Sequence, residues 1–122
     1  MKGILVIGHG SRSKDVKNTF FRIIDGMKER LKLDVEGSFM ELCEPDIPST
    51  IEKMYSEGVR EITCIPYFLF NGIHIKEDIP EMLKGIKEKH DDLVIYMANP
   101  IDYHDLLIDI LVERAEGDKR CI

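Results

Sequence analysis

Apolar residues in this chain follow two alternating patterns: short unbroken runs, and longer runs in which they recur every three or four positions. Short runs rich in β-branched residues are typical of strands buried on both faces of a parallel sheet. The longer runs are typical of helices that bury one face. The predicted strands are a first one that contains Ile4–Ile7 and ends at Gly8, then Asp34–Leu42, Glu61–Pro66 and Leu93–Ala98. The predicted helices are Ser13–Leu33, a helix from the N-cap Asp46 to a stop at Gly58, a helix from the N-cap Asp78 to Lys89, and Tyr103–Ala115.

Strands and helices alternate strictly, which predicts an α/β fold: a three-layer sandwich with a four-stranded parallel sheet and right-handed crossovers. We expect the strand order 2-1-3-4. The 122 residues are enough for a single domain over residues 1–122, with a polar, frayed tail over residues 116–122. The segment from Tyr67 to Ile79 is apolar for a loop. That loop and the small core favour a homodimer.

The composition of the chain limits the kinds of partner that we expect it to bind. The formal net charge is −6, with 23 acidic and 17 basic side chains, so nucleic acid is not expected as the main partner. No apolar run approaches the roughly 20 residues that cross a bilayer, so no membrane partner is expected. We expect no signal peptide, because a strand opens the chain. The cysteines, Cys43, Cys64 and Cys121, form no C-x-x-C pair. Reduced thiols in a cytoplasmic protein are therefore expected, with the first two in the core.

Two histidines follow strands that the expected order places side by side. His9 lies in Gly8-His9-Gly10 after the first strand, and His74 follows the third strand. Since the carboxyl ends of parallel strands meet at one edge, both imidazoles are expected there, joined by Glu44. Such ligands suit Co²⁺, Ni²⁺ or Zn²⁺, and a set too small for a structural zinc site leaves coordination positions open. The alternative is that each histidine only bonds local backbone.

Other candidates for chemistry have plainer interpretations. His90 lies among charged residues, which predicts a solvated surface position. His104 opens the last helix and is either a helix-start residue or a late member of the same edge. Phe68 and Phe70 are either core residues or an apolar wall for a flat ligand. Gly8-x-Gly10 lacks the third glycine of a dinucleotide loop. His9-Gly10 lacks the preceding arginine of histidine phosphatases.

Four motifs together resemble the short sirohydrochlorin chelatases of the small CbiX type, in the class II chelatase family. They are G-H-G-S-R at 8–12, E-P-x-I-P at 44–48, P-x-F-L-x-x-G-x-H-x-x-x-D-I-P at 66–80 and H-D-L-L-x-x-x-L-x-E-R at 104–114. The short members correspond to one half of a longer class II chelatase. The resemblance therefore implies a homodimer in which the active sites form across the pair.

The resemblance implies that the protein is a lyase, a cobaltochelatase that inserts Co²⁺ into sirohydrochlorin on the route to cobalamin and releases two protons. Some short members insert Ni²⁺. It implies that His9 is the proton acceptor and a metal ligand, and that His74 is the second ligand. It also implies macrocycle contacts from Glu44 and from the stretch Leu69, Phe70, Asn71, Gly72, Ile73 and His74.

The metal, the partners of the substrate carboxylates and the kind of activity need separate consideration. The metal is the substrate, and no prosthetic group is expected, because no cysteine set for an iron–sulfur cluster is present. Arg12, Lys14 and Lys76 are candidate partners for substrate carboxylates. A metal or tetrapyrrole carrier without turnover would need the same residues. A histidine phosphatase would need several arginines around His9, of which only Arg12 is near in sequence.

Overall fold

The computed structural model describes the backbone of residues 1–122 and every side chain except that of His74. Four strands form one sheet: β1 (Lys2–Gly8), β2 (Asp34–Phe39), β3 (Glu61–Pro66) and β4 (Val94–Met97). Four α-helices connect or follow them: α1 (Lys14–Leu31), α2 (Ile47–Ser56), α3 (Ile79–Lys87) and α4 (Asp105–Glu116). A π-helical turn, His74–Asp78, precedes α3. Within the described residues, no helix combines the length and apolar character needed to span a bilayer.

The sheet is parallel throughout, with the order β2-β1-β3-β4. This confirms the predicted α/β fold and the predicted order. Two cores lie on opposite faces of the sheet. One is formed with α1 and contains Val6, Phe20, Ile24, Val35 and Phe39. The larger one is formed with α2 and α3 and includes Leu5, Ile7, Ile51, Ile62 and Leu83.

Several predicted boundaries were wrong by one turn or less. The second strand ends at Phe39 rather than Leu42, and Leu42 adopts a positive φ of 72°. The loop after β3 is shorter than predicted, because helical backbone begins at His74. Asp78 therefore has right-handed helical backbone and is not the extended N-cap that we predicted. Val16 and Leu31 recur at helical spacing with the core residues Phe20 and Ile24 of α1, yet both are exposed.

The cap of α2 has the predicted form. The Asp46 carboxylate accepts hydrogen bonds from the Ser49 backbone N–H at 2.9 Å and from the Ser49 hydroxyl at 2.6 Å. These bonds lower the pKa of Asp46, because they stabilise its charged form. A lowered pKa adds stability above the unfolded-state pKa of an aspartate, and that stability is lost as the pH falls through the folded pKa.

We therefore expect Asp46→Ala to reduce the free energy of unfolding by about 1 kcal/mol at pH 7. The difference from the unsubstituted protein should shrink as the pH falls below 4, where the carboxylate protonates. Urea unfolding at several pH values measures this difference in the free energy of unfolding. Asp46→Asn, which keeps an acceptor oxygen, is the matched control and should lose little at pH 7. An equal loss in both variants at every pH would contradict the assignment.

Of the two cysteines predicted in the core, Cys64 is buried there and Cys43 lies at its edge. Cys64 is fully buried in β3, and burial raises the pKa of its thiol to about 12. Cys43 is half-buried against the α1 core, and Cys121 is exposed. All three are free thiols. Cys64 is therefore a protonated packing residue and not a nucleophile, since the thiolate is the reactive form.

A polar network joins α2 to β4 at the amino-terminal end of the sheet. Asp92 accepts a hydrogen bond from the Tyr55 hydroxyl at 2.6 Å and pairs with Arg60 at 3.2 Å. The His90 ring stacks on Tyr55 at 3.9 Å, and its Nε2 lies 2.9 Å from Glu52. The prediction that His90 is a solvated surface residue was wrong, since its side chain is only 18% exposed. The network is structural and lies at the opposite end of the sheet from His9.

Candidate functional site

The connections out of β1 and β3 leave the sheet in opposite directions. The chain from β1 passes through α1 to β2, and the chain from β3 passes through α3 to β4 on the other side. The carboxyl ends of β1 and β3 therefore flank a topological switch point, where ligands bind in open α/β sheets. His9 directly follows β1, and the loop over residues 67–73 follows β3. The backbone of both segments thus lies where the sequence predicts.

The β1–β2 pairing continues past the ends of both strands. The Met40 N–H donates to the Gly8 carbonyl at 2.9 Å, and the Glu41 N–H donates to the His9 carbonyl at 3.2 Å. Gly10 then turns the chain away with φ at +114°. A Cβ at Gly10 would overlap the carbonyl of Glu41, so only glycine fits both the conformation and the space. This turn holds the backbones of His9 and Glu41 side by side.

The His9 imidazole contacts a carboxylate. Its Nε2 lies 3.1 Å from Oε1 of Glu41, and both side chains are at least half exposed to solvent. The Phe68 ring meets the imidazole edge-on, with the ring centroids 6.2 Å apart. Glu41 and Phe68 therefore orient the histidine, half of whose side chain is exposed to solvent.

The carboxylate in contact with His9 is that of Glu41, which sequence reasoning did not single out. The role of Glu44 at this edge stays a prediction. Glu44 is exposed three residues further on. The contact depends on the pairing of two segments, in which the Glu41 N–H donates to the His9 carbonyl, and the sequence of either segment alone does not indicate it. The predicted second strand included Glu41 and ran to Leu42. In the structure β2 ends at Phe39, and Glu41 lies in the loop that follows.

The loop after β3 is anchored at its start and apolar at its outer surface. The Tyr67 N–H donates to the Ile7 carbonyl at 2.7 Å, and Phe68 packs against the larger core. Of the two interpretations for the phenylalanines, packing fits Phe68 alone, because Phe70 is 76% exposed. Leu69, Asn71, Gly72 and Ile73 are exposed as well. This stretch therefore offers an uncovered apolar surface at the switch point.

The second predicted ligand, His74, is only partly described. Its backbone begins the π-helical turn, where the Gly72 carbonyl accepts hydrogen bonds from the N–H groups of Ile75 and Lys76. The side chain of His74 lies outside the described residues. Its role as a ligand stays a prediction from the sequence.

An open cavity of about 450 Å³ lies beside His9, between the start of α1 and the ends of the strands. Its walls are mostly apolar. They include Val16, Phe20, Ile23 and Tyr67, with Asp15 and Thr19 as polar members. The sequence does not indicate this wall, because Val16 and Ile23 have the helical spacing that is also typical of core residues. The cavity gives the switch point a concave side suited to part of a larger ligand.

Other candidate residues have clearer positions. Nδ1 of His104 accepts a hydrogen bond from the Leu106 N–H at 3.1 Å, so His104 caps α4. Arg12, Lys14 and Lys76 are exposed. Asp34, Glu36 and Glu57 form a carboxylate cluster at the amino-terminal end of β2. Burial, followed by a hydrogen bond with Glu36, raises the pKa of Asp34. This cluster is separate from the switch point.

The fold and the site together define a class: small parallel α/β proteins that present an imidazole and a carboxylate at a switch point beside an apolar loop. Residues 3–117 match the family model CbiX, so the chain belongs to the CbiX family. The sirohydrochlorin cobaltochelatase of Methanocaldococcus jannaschii is 31% identical, in an alignment that covers 96% of this chain and 99% of that protein.

Two crystal structures share the fold. A CbiX protein of cobalamin (vitamin B12) biosynthesis from Marinobacter aquaeolei superposes with a TM-score of 0.81 and 27% identity, covering 95% of this chain and 98% of that chain. The sirohydrochlorin chelatase SirB from Bacillus subtilis subspecies spizizenii, in complex with cobalt, gives a TM-score of 0.88 and 28% identity. The match covers 94% of this chain and 50% of the SirB chain, so this chain spans half the length of SirB.

Proposed function

We propose that this protein is a chelatase that inserts Co²⁺ into sirohydrochlorin, with Ni²⁺ as the alternative metal substrate, and releases two protons. The observation that carries the proposal is the pair formed by His9 and Glu41 at the switch point of a CbiX-family chain. The name of the Methanocaldococcus jannaschii relative, which matches over nearly its full length, supports the choice of cobalt and of this macrocycle.

The pair has the spacing of two ligands on one cation. With metal–nitrogen and metal–oxygen bonds of about 2.0–2.2 Å, adjacent ligand atoms lie roughly 3.0–3.5 Å apart. Nε2 of His9 and Oε1 of Glu41 are 3.1 Å apart. Both atoms can therefore hold the incoming metal ion, and His74 is the proposed third ligand. Three protein ligands leave positions open for the pyrrole nitrogens.

His9 also has the proton chemistry that insertion needs. A free-base tetrapyrrole carries two N–H protons that must leave as the metal enters, and a positioned imidazole is a suitable acceptor near neutral pH. Glu41 beside it stabilises the imidazolium that forms. The same small group of atoms thus delivers the metal ion to the macrocycle and accepts a proton from it.

The apolar loop supplies the proposed macrocycle surface. Leu69, Phe70 and Ile73 are exposed and can cover one face of a flat ring. Asn71, Gly72 and Glu44, which are also exposed, are the further proposed contacts of the macrocycle. Arg12, Lys14 and Lys76 are the proposed partners of substrate carboxylates. The proposal includes a homodimer, whose second copy closes the open side of the site. The free thiols support a cytoplasmic location.

The test is an anaerobic absorbance assay with purified protein, sirohydrochlorin, and Co²⁺ or Ni²⁺, each against a reaction without protein. We expect the protein to accelerate the spectral change to the metallated ring, and the ratio of the two rates ranks the metals. Ligand binding without acceleration would instead identify a carrier. Hydrolysis of a generic phosphoester without metal insertion would identify a phosphatase.

A further inference from the structure

The loop that follows β2 contains a leucine in an unusual backbone conformation. Among the residues that the structure describes, Lys32, Leu42 and Asp102 are the non-glycine residues with positive φ. Lys32 ends α1, where a left-handed residue is common, and aspartate tolerates this region better than most residues. Leu42, with φ at 72°, has neither explanation, because no helix ends there and its side chain cannot bond the local backbone. The reason for this conformation must therefore lie in the surroundings of Leu42.

The residues on either side of Leu42 fix its conformation. Before it, the Glu41 N–H donates to the His9 carbonyl at 3.2 Å, and the Glu41 carboxylate contacts the imidazole. After it, Cys43 packs against the core that α1 forms. Leu42 alone separates a carboxylate at the surface from a thiol at the edge of the core, and its left-handed backbone joins the two.

This conformation leaves the side chain of Leu42 in solvent, where 53% of its surface is exposed. Glycine or asparagine would adopt the same φ at lower energetic cost. A leucine at this position therefore combines an unfavourable backbone conformation with exposure of apolar surface. Strained residues concentrate at functional sites, where the surrounding structure holds them in place. The combination points to a ligand that covers the side chain.

Leu42 lies on the opposite side of His9 from the apolar loop after β3. The sheet order places β1 between β2 and β3. The loop with Leu42 and the loop with Leu69, Phe70 and Ile73 therefore flank the histidine. Neighbouring strands are about 4.8 Å apart, so these two loops leave the sheet roughly 10 Å apart. That separation is comparable to the width of a tetrapyrrole ring centred on the proposed metal ligands.

We propose that Leu42 is a second apolar contact of the macrocycle and helps to determine the specificity for a flat ring. This inference rests on the proposed function and adds to it a residue on the β2 side of the site. A ring held by the loop after β3 alone would be supported on one side of the metal only. Leu42 supports the other side and keeps the ring centre beside Nε2 of His9 and Oε1 of Glu41. The contact contributes to binding and not to proton transfer, because the leucine side chain carries no titratable group.

Leu42→Asn tests this contact, because asparagine tolerates the left-handed conformation but has a polar side chain. We expect the dissociation constant for sirohydrochlorin, measured by absorbance titration without metal, to rise about five- to tenfold, the range for losing the burial of part of a leucine side chain. The insertion rate at saturating macrocycle should change by less than about twofold, because the lost interaction serves binding alone. Leu42→Met, which keeps an apolar side chain, should bind the ring like the unsubstituted protein.

Lys32→Asn is the matched control. Lys32 has the same left-handed backbone, with φ at 57°, but lies after α1, where the chain enters β2 at the opposite edge of the sheet. We expect both asparagine variants to have a melting temperature equal to or above that of the unsubstituted protein. Only Leu42→Asn should weaken the binding of sirohydrochlorin.

Unchanged binding by Leu42→Asn would overturn the inference and leave the chelatase proposal standing. Slower insertion with unchanged binding would also overturn it, since Leu42 would then act only by holding Glu41. Weaker binding together with a smaller species in sedimentation would mean that a second copy, and not the ring, covers Leu42. Weaker binding by Leu42→Asn in a protein that inserts no metal would support the contact and reject the chelatase proposal.

Discussion

His9→Ala should reduce the rate of metal insertion by about 100-fold or more, which is the range for losing a positioned proton acceptor. The substitution also removes one of the two proposed ligand atoms, which lie 3.1 Å apart. The fold should survive, because the side chain is half exposed and lies outside both cores. The measurements are the anaerobic absorbance assay and thermal unfolding of the same preparation. Glu41→Gln should also slow insertion, by removing the charge that stabilises the imidazolium.

His90→Ala is the matched control for that experiment. It removes an imidazole of the same size, stacked on Tyr55 at the far end of the sheet. We expect it to lower the free energy of unfolding and to leave the insertion rate of the folded protein unchanged. Full activity in His9→Ala would disprove the role assigned to His9. Equal loss of activity in both variants would mean that His9 acts only through stability.

Gly10→Ala should destabilise the protein by roughly 3 kcal/mol, which combines the costs of a left-handed non-glycine residue and of overpacking. The added methyl would overlap the Glu41 carbonyl, in a turn whose φ is +114°. Relief of that overlap must move Glu41 away from His9, so insertion activity should fall as well. The melting temperature should drop by about 10 °C for a domain of this size, as measured by circular dichroism.

Gly85→Ala serves as the control, because a Cβ at that position in α3 meets nothing within 4 Å. Alanine in a helix interior is favoured over glycine by about 0.5–1 kcal/mol, so this variant should be slightly more stable and fully active. If both alanine variants had the same stability, the Gly10 turn would not be as constrained as its geometry indicates.

Local patterns were sufficient to locate the four strands. The run EITCIP gave the limits of β3 without error, although only one face of that strand is fully buried. The cap at Asp46 was recognisable because its acceptor and Pro48 stand at fixed positions relative to the helix start. The right-handed crossover rule is compatible with more than one strand order, so the order 2-1-3-4 was an expectation that the structure confirms rather than a derivation.

Features that depend on neighbours distant in sequence were not predictable in this way. The pairing of Glu41 with His9 follows from strand register, which a single strand does not encode. His90 looked solvated because its sequence neighbours are charged, yet Tyr55 and Glu52 come from a different helix. The exposure of α4 was not predictable either, because an apolar helix has the same sequence pattern whether or not its own chain covers it.

The network of Tyr55, Arg60, His90 and Asp92 lies far from His9, and this has a consequence for how the protein can change. Its contacts join α2 to the edge strand β4 at the end of the sheet that carries no proposed chemistry. Substitutions there can raise or lower heat tolerance without altering the atoms that meet a ligand. Resistance to temperature and rate of turnover are therefore separate traits in this chain, and selection or engineering can adjust one while leaving the other as it is.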